Sequence, residues 1–292
     1  MKYRPAVPLL ILCLALLAPM HVHAEAPAAW STEASAGLSA HALEETARAH
    51  LDREIPDLEQ AALWLHAAAE AGSGSAMAHL AYFYQQGYGV ARQGDRAVYW
   101  YERAVAAGEL QHTLSLGWAY LRGEPVARDR ERAEDWFRQG IEAGFHPARI
   151  ALASVLIADA LGGLSPERAL EAEELLINAL PREPVLASYF LARLYLEGIG
   201  HVPHDPARGL HFTRLGAERG DVRLQGWLGR MYANGEGLEP DLSEAVKWAN
   251  LSAAGGDPYG KRLRLQLEAG LSPEVVEEGR RRAVEWAIRD DG

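Results

Sequence analysis

Apolar residues between positions 75 and 107 fall into two helical stripes. Ala76, Leu80, Phe83 and Tyr84 recur at i, i+4, i+7 and i+8, and Ala97, Trp100, Tyr101 and Ala104 do the same further on. The pattern predicts a helix A over 75–86 and a helix B over 95–107, joined by a turn that starts Gly87-Tyr88-Gly89-Val90. Small Ala residues let the two helices approach, and Trp100 fills the space beyond them. The pattern then repeats. Trp64, Trp100 and Trp136 are 36 residues apart, as are Phe212 and Trp248. Gly72, Gly108 and Gly144 keep the same spacing, as do Gly220 and Gly256. A helix pair that cannot bury its apolar face alone must stack on its neighbours, and a period in this range marks a solenoid. The expected fold is all-α, an α/α solenoid (superhelix) of about five to six helix pairs.

The units fall at 39–72, 73–108, 109–144, 145–184, 185–220 and 221–256, with a C-terminal cap over 257–292. The first pair is read as helices over 41–53 and 58–71. Gly87, Gly123, Gly198 and Gly235 stand where helix A stops, a place that favours a left-handed residue. Asp129, Asp205 and Asp241 precede helix B, where a carboxylate caps free N–H groups, and Glu244 adds a capping-box pattern to Asp241. The unit 145–184 is degenerate: it has 40 residues, Leu175 or Leu176 in place of the Trp, and Gly162-Gly163-Leu164-Ser165-Pro166 as its turn. There Ser165 is expected to cap and Pro166 to open helix B. The strongly charged helix over 273–289 reads as a polar cap. Trp64, Trp100, Trp136 and Trp248 are expected to be structural, each buried between its own helix A and the next unit.

Composition changes the picture at the N-terminus. Lys2 and Arg4, an apolar run over 6–18 and Val22-His23-Ala24 form a signal peptide over 1–24, cleaved near Ala24, followed by a flexible Ala/Ser-rich leader over 25–38. The apolar run is shorter than a spanning helix needs, so no integral membrane segment is expected after cleavage, and the location is expected to be periplasmic. Losing Lys2 and Arg4 takes the formal net charge from −11 to −13, since no acidic residue leaves with them. Cys13, the sole cysteine, leaves too, which excludes disulfides, a thiolate nucleophile and a Cys-based zinc site from the mature chain. The acidic balance argues against nucleic acid and anionic membranes and suits a basic protein partner.

The unit carrying Leu116, Gly117, Tyr120, Gly123, Val126, Asp129, Ala133, Trp136 and Gly144 resembles the Sel-one-like repeat (SLR), an α/α relative of the tetratricopeptide repeat. The resemblance covers most of 57–256 and implies the fold more specifically than any activity. It implies an adaptor: exported bacterial members are tied to envelope assembly, host contact and secretion systems. Some resemble periplasmic immunity proteins that neutralise type VI secretion phospholipase effectors. A cysteine-rich branch is linked to β-lactam binding or hydrolysis, through paired cysteines that this chain lacks.

No Gly-x-Ser-x-Gly, His-Glu-x-x-His or phosphate-loop motif occurs, and the expectation is a non-enzymatic chain without cofactor. His201, His204, Asp205 and His211 form one cluster with metal-ligating side chains, but Asp205 is the expected helix cap and His211 lies inside helix B, so no metal site is assigned. Helix A positions that vary between units fall on one face, at i, i+4, i+7 and i+11. They include Tyr82, Trp118, Arg122, Phe190, Arg193, Trp227 and Arg230, types enriched in interface hot spots. Stacked, they would form a ladder on the concave face, outside the core stripe. The expected function is partner binding there. Its most concrete form is immunity to a secreted phospholipase effector in the periplasm. The alternative is an envelope scaffold, and a β-lactam-binding enzyme stands third.

Overall fold

The computed structural model describes residues 37–163 and 165–290, and among them there are fourteen α-helices and no strand, as the periodicity predicts. The expected signal segment 1–24 and all but the last two residues of the leader lie outside the described residues. The helices belong to two compact units that divide between Trp136 and Phe137. The first unit holds α1 (Ala40–Leu51), α2 (Leu58–Glu70), α3 (Gly74–Gln86), α4 (Gly94–Ala106), α5 (His112–Arg122) and the first half of α6 (Arg130–Glu142). The second holds the rest of α6, α7 (Pro147–Leu161), α8 (Arg168–Ala179), α9 (Pro184–Glu197), α10 (Pro206–Ala217), α11 (Val222–Asn234), α12 (Leu242–Ala254), α13 (Pro258–Gly270) and α14 (Pro273–Asp290). Within each unit A helices pack on their own B helices, α3 on α4 and α9 on α10 among them, and B helices meet the next A helix, as α2 meets α3 and α10 meets α11.

The stripes read from the sequence are the core. Ala76, Leu80, Phe83 and Tyr84 are buried on α3, and Ala97, Trp100, Tyr101 and Ala104 on α4. Gly87, Gly123, Gly198 and Gly235 take φ of 79°, 75°, 64° and 73°, the left-handed conformation that ends α3, α5, α9 and α11. Asp129, Asp205 and Asp241 accept the capping bonds from Arg132 N–H (3.1 Å), Arg208 N–H (3.0 Å) and Glu244 N–H (3.0 Å).

Several local expectations are corrected. Glu244 does not complete a capping box, because the Asp241 N–H donates to the Tyr232 carbonyl (3.1 Å). Glu244 instead accepts from Trp248 Nε1 (3.1 Å), Lys247 (3.0 Å) and Arg282 (3.1 Å). Ser165 and Pro166 stand one turn before α8, whose N-cap is Glu167 without a side-chain bond; the Ser165 carbonyl accepts from Arg168 N–H (3.1 Å). Leu176, fully buried, takes the place of the Trp in this unit. Trp100 and Trp248 are each 3% exposed, but Trp64 and Trp136 are only half-buried at the rim of the core. Trp100 meets His66 of the preceding B helix edge-on at 5.3 Å, whereas the equivalent place before Trp136 holds Glu102, an exposed carboxylate.

A second device was not read from the sequence. The tyrosine in the last turns of helix A receives an arginine from helix B. Arg96 donates to Tyr84 Oη (2.9 Å), Arg132 to Tyr120 Oη (3.4 Å) and Arg208 to Tyr195 Oη (3.2 Å). In each case the guanidinium also stands 5.3–5.6 Å from the ring centroid. The Tyr195 hydroxyl in turn donates a hydrogen bond to Glu173 of α8, so one phenol links three helices. The degenerate unit has Leu156 at this place, and its Arg168 turns to Asp159 (2.5 Å). The last full unit swaps the charges: Arg214 of α10 donates to Tyr232 (3.5 Å), and Glu244 occupies the arginine's place. Tyr195→Phe is expected to cost about 1–2 kcal/mol in a denaturant melt, since it leaves Glu173 and Arg208 without their shared partner. An unchanged midpoint would mean that the clip is ornamental.

Candidate protein-binding face

In the first unit Tyr82 (α3) and Trp118 (α5) are half-buried, and Arg122 is exposed at the end of α5. Tyr82 packs edge-on against Tyr88 (5.8 Å) and against the core, and burial raises its phenol above the ordinary range. Ser75, from the same set of variable positions, is structural. It donates to Glu44 (2.7 Å), which also accepts from Ser73 (2.9 Å), so α1 is tied to the start of α3. His112 stacks on Tyr101 at 5.1 Å, and burial lowers its imidazole from the usual value.

In the second unit the expected residues fall within one network. Trp227 of α11 lies 5.3 Å from Tyr189 of α9, which in turn meets Phe190 edge-on at 5.3 Å. Arg223 lays its guanidinium 3.9 Å over the Tyr189 ring and holds Asp221 with two nitrogens (3.2 and 2.6 Å). Arg193 grips Glu197 in bidentate fashion (3.0 and 3.1 Å) one turn along from Tyr189. Arg230 pairs with Glu236 (3.1 Å) and reaches Tyr259 of α13, over which Arg262 stands at 5.8 Å. The structure therefore brings Phe190, Arg193, Trp227 and Arg230 into one contiguous stretch of A-helix surface. It adds Tyr189, Tyr259 and Arg262, which the sequence reading missed. Tyr189 lies one residue off the chosen register, and α13 was read only as part of a cap.

The expectation that the ladder stands wholly outside the core does not hold for two members. Tyr82 and Trp227 pack on core clusters, so truncating either disturbs packing as well as surface. Phe190, Arg193 and Arg122 remain on the surface side. The opposite, B-helix side offers a cleft of about 570 Å³ around the Tyr195 clip, lined by Glu173, Ile177, Asp205, Arg208, His211 and Phe212. His211 meets Phe212 edge-on, His204 Nδ1 lies 2.8 Å from the Leu196 carbonyl, and Asp205 is the helix cap. Among the described residues no His, Cys, Asp and Glu converge in a metal-holding group. None of the helices described there is long and apolar enough to cross a membrane.

Comparison with known proteins agrees with this architecture. The Sel1 repeat model matches residues 40–73, 74–109, 114–145, 185–221 and 225–257. The structure of a Sel1 repeat protein from Oxalobacter formigenes superposes with a TM-score of 0.63 at 23% identity, over 84% of this chain and 98% of that one. The immunity protein Pa5087 of Pseudomonas aeruginosa reaches a TM-score of 0.39 at 18% identity over 79% of this chain and 83% of its own, too low to carry an argument. By sequence, the alginate biosynthesis protein AlgK of Azotobacter vinelandii is 30% identical over 113 residues, 38% of this chain; the match spans 24% of AlgK, about a quarter of its length. Five matched repeats, left-handed glycines at the A-helix ends of four of them and buried Ala, Leu and Tyr stripes all agree, and the chain belongs to the Sel1 repeat family of α/α solenoids.

Proposed function

We propose that the chain is an exported, non-enzymatic solenoid that binds a protein on its A-helix face. The observation that carries this reading is the run of stacked Tyr, Trp, Phe and Arg across α9, α11 and α13. Such side chains bring large contact area with little rotamer freedom left to lose, the composition of interface hot spots. The most concrete version is an immunity protein that occludes a phospholipase-type effector in the periplasm. Export, the lack of catalytic motifs in the sequence and the repeat fold support it. A second version, a scaffold in envelope assembly, has its own support in the sequence match to AlgK.

Phe190→Ala and Arg193→Ala are expected to keep the parent's melting curve while weakening the partner complex by 2 kcal/mol or more, roughly thirty-fold. In the immunity version, either change exposes cells to the co-expressed effector without lowering the protein's level. In the scaffold version, it releases the assembly from the chain in a pull-down. Full protection and full assembly by a normally folded double variant would move the binding surface off the A helices.

A further inference from the structure

Charge is distributed unevenly over the second unit. The whole chain is acidic at −11, yet α9, α11 and α13 carry Arg193, Arg223, Arg230, Lys261, Arg262 and Arg264; Glu197 and Glu236 pair with Arg193 and Arg230, Asp257 caps α13, and the remaining carboxylate within these helices is Glu268. Glu268 is engaged by Arg280 of α14 (2.7 Å). The counter-ion of Arg223, Asp221, sits inside with its side chain 5% exposed, while the Arg223 side chain is 42% exposed. Seen from outside, that pair presents its cation. Aromatic rings hold the guanidiniums in place from behind, Tyr189 under Arg223 and Tyr259 under Arg262. A stacked arginine keeps its planar edge available for a carboxylate at reduced entropic cost. The same surface is bordered by apolar groups that face water: Leu186 at 42% exposure and Leu265 at 60%. Tyr259 brings α13 against α11, since a Cβ on Gly226 would lie 3.1 Å from its ring, and it carries Arg262 at 5.8 Å, with Leu265 about one turn further along α13.

We infer that this face docks an acidic, amphipathic segment of a protein partner, with carboxylates on the edges of Arg193, Arg223 and Arg262 and apolar side chains against Leu186, Phe190 and Leu265. This rests on the reading that the A helices bind protein, and it gives the partner's chemistry there a sign opposite to the one the net charge suggests. An anionic polysaccharide would satisfy the arginines but leave the leucines in water, so the mixed surface favours a peptide.

The test uses the full chain and three probes: a labelled Glu/Leu/Phe peptide of helical spacing, its Gln-for-Glu counterpart, and polygalacturonate. The Glu peptide is expected to bind, with affinity that falls as salt rises. The triple substitution Arg193→Gln/Arg223→Gln/Arg262→Gln is expected to weaken it at least about tenfold and to flatten the salt dependence. Arg262→Gln alone, at an exposed position, tests the same point without risk to the fold. Arg182→Gln, in the exposed turn after α8, carries the same charge change and is expected to have no effect. Equal binding of the Gln peptide, equal loss with Arg182→Gln, or displacement of the Glu peptide by polygalacturonate at matched charge overturns the proposal. A photo-crosslinker at Phe190 separates the two readings. A partner captured there and released by the triple substitution supports both. Capture that the substitution leaves unchanged sinks the acidic segment alone, and no capture with no peptide binding sinks both.

Discussion

Trp100→Ala and Trp248→Ala are each expected to lower unfolding free energy by about 3–5 kcal/mol, the cost of emptying a buried indole. Trp100 is enclosed by His66 at 5.3 Å, Tyr99 at 5.1 Å and the Arg103 guanidinium at 4.8 Å, and no small shift of the helices refills that space. Trp248 is held by Trp286 of α14 (5.7 Å), by Lys247 over its ring (4.4 Å) and by the Nε1 bond to Glu244. Its loss also frees Glu244 and so weakens the seat of Arg282, which bridges α14 to the start of α12. Trp64→Ala and Trp136→Ala are expected to cost visibly less, because each indole is only partly buried. Chemical denaturation of the four variants orders them. If Trp136→Ala falls with Trp100→Ala, the half-burial of Trp136 is wrong.

The difference among these four indoles marks what the sequence could and could not say. Helix pairs, their left-handed glycines and the capping aspartates were legible, because each is a demand on one residue or on one helix face with a 3.6-residue period. Gly87 ends its helix whatever lies beyond it. Burial of a tryptophan depends instead on what the preceding repeat offers, His66 in one case and Glu102 in another, and identical spacing hides that. The tyrosine–arginine clip was present as Tyr84 to Arg96 and Tyr120 to Arg132, each twelve residues apart, but the one-residue longer turn before Arg208 and the Leu156 of the degenerate unit blurred the repeat. The candidate face was half legible. Its positions follow from periodicity, whereas its stacking through Tyr189 and Tyr259 needs the distance between neighbouring A helices.

The second glycine of the turns is the other place where long-range fit decides, and Gly200→Ala is expected to be as damaging as loss of a core side chain. Gly198 and Gly200 both have positive φ, 64° and 59°, so local conformation alone treats them alike. Their surroundings do not. A Cβ on Gly198 would meet only the His204 side chain and backbone, at 3.1 Å, but one on Gly200 would lie 2.3 Å from the Pro166 carbonyl oxygen and 2.9 Å from Ala169. Gly200 thus closes against the start of α8, the B helix of the preceding repeat, where the neighbouring His201 N–H also donates to the Pro166 carbonyl (3.0 Å). The same closeness recurs at the other turns: a Cβ on Gly89 would lie 2.0 Å from the Leu58 carbonyl oxygen, and one on Gly237 2.8 Å from that of Pro206. In the remaining turn of this kind Pro125 replaces the second glycine, and the space is made from the other side: Gly94, at the start of α4, would place a Cβ 2.1 Å from the Pro125 carbonyl. One partner of each junction must lack a side chain so that successive repeats touch backbone to backbone. Gly200→Ala therefore combines left-handed strain with overpacking, roughly 2–4 kcal/mol, whereas Gly198→Ala adds mainly the strain, about 1 kcal/mol. Thermal melts of the two variants, with Gly94→Ala as a third, check this. Gly94 has no positive φ, so only the junction can make its substitution costly, and a parent-like melt for Gly94→Ala would show that the repeats do not close through these turns.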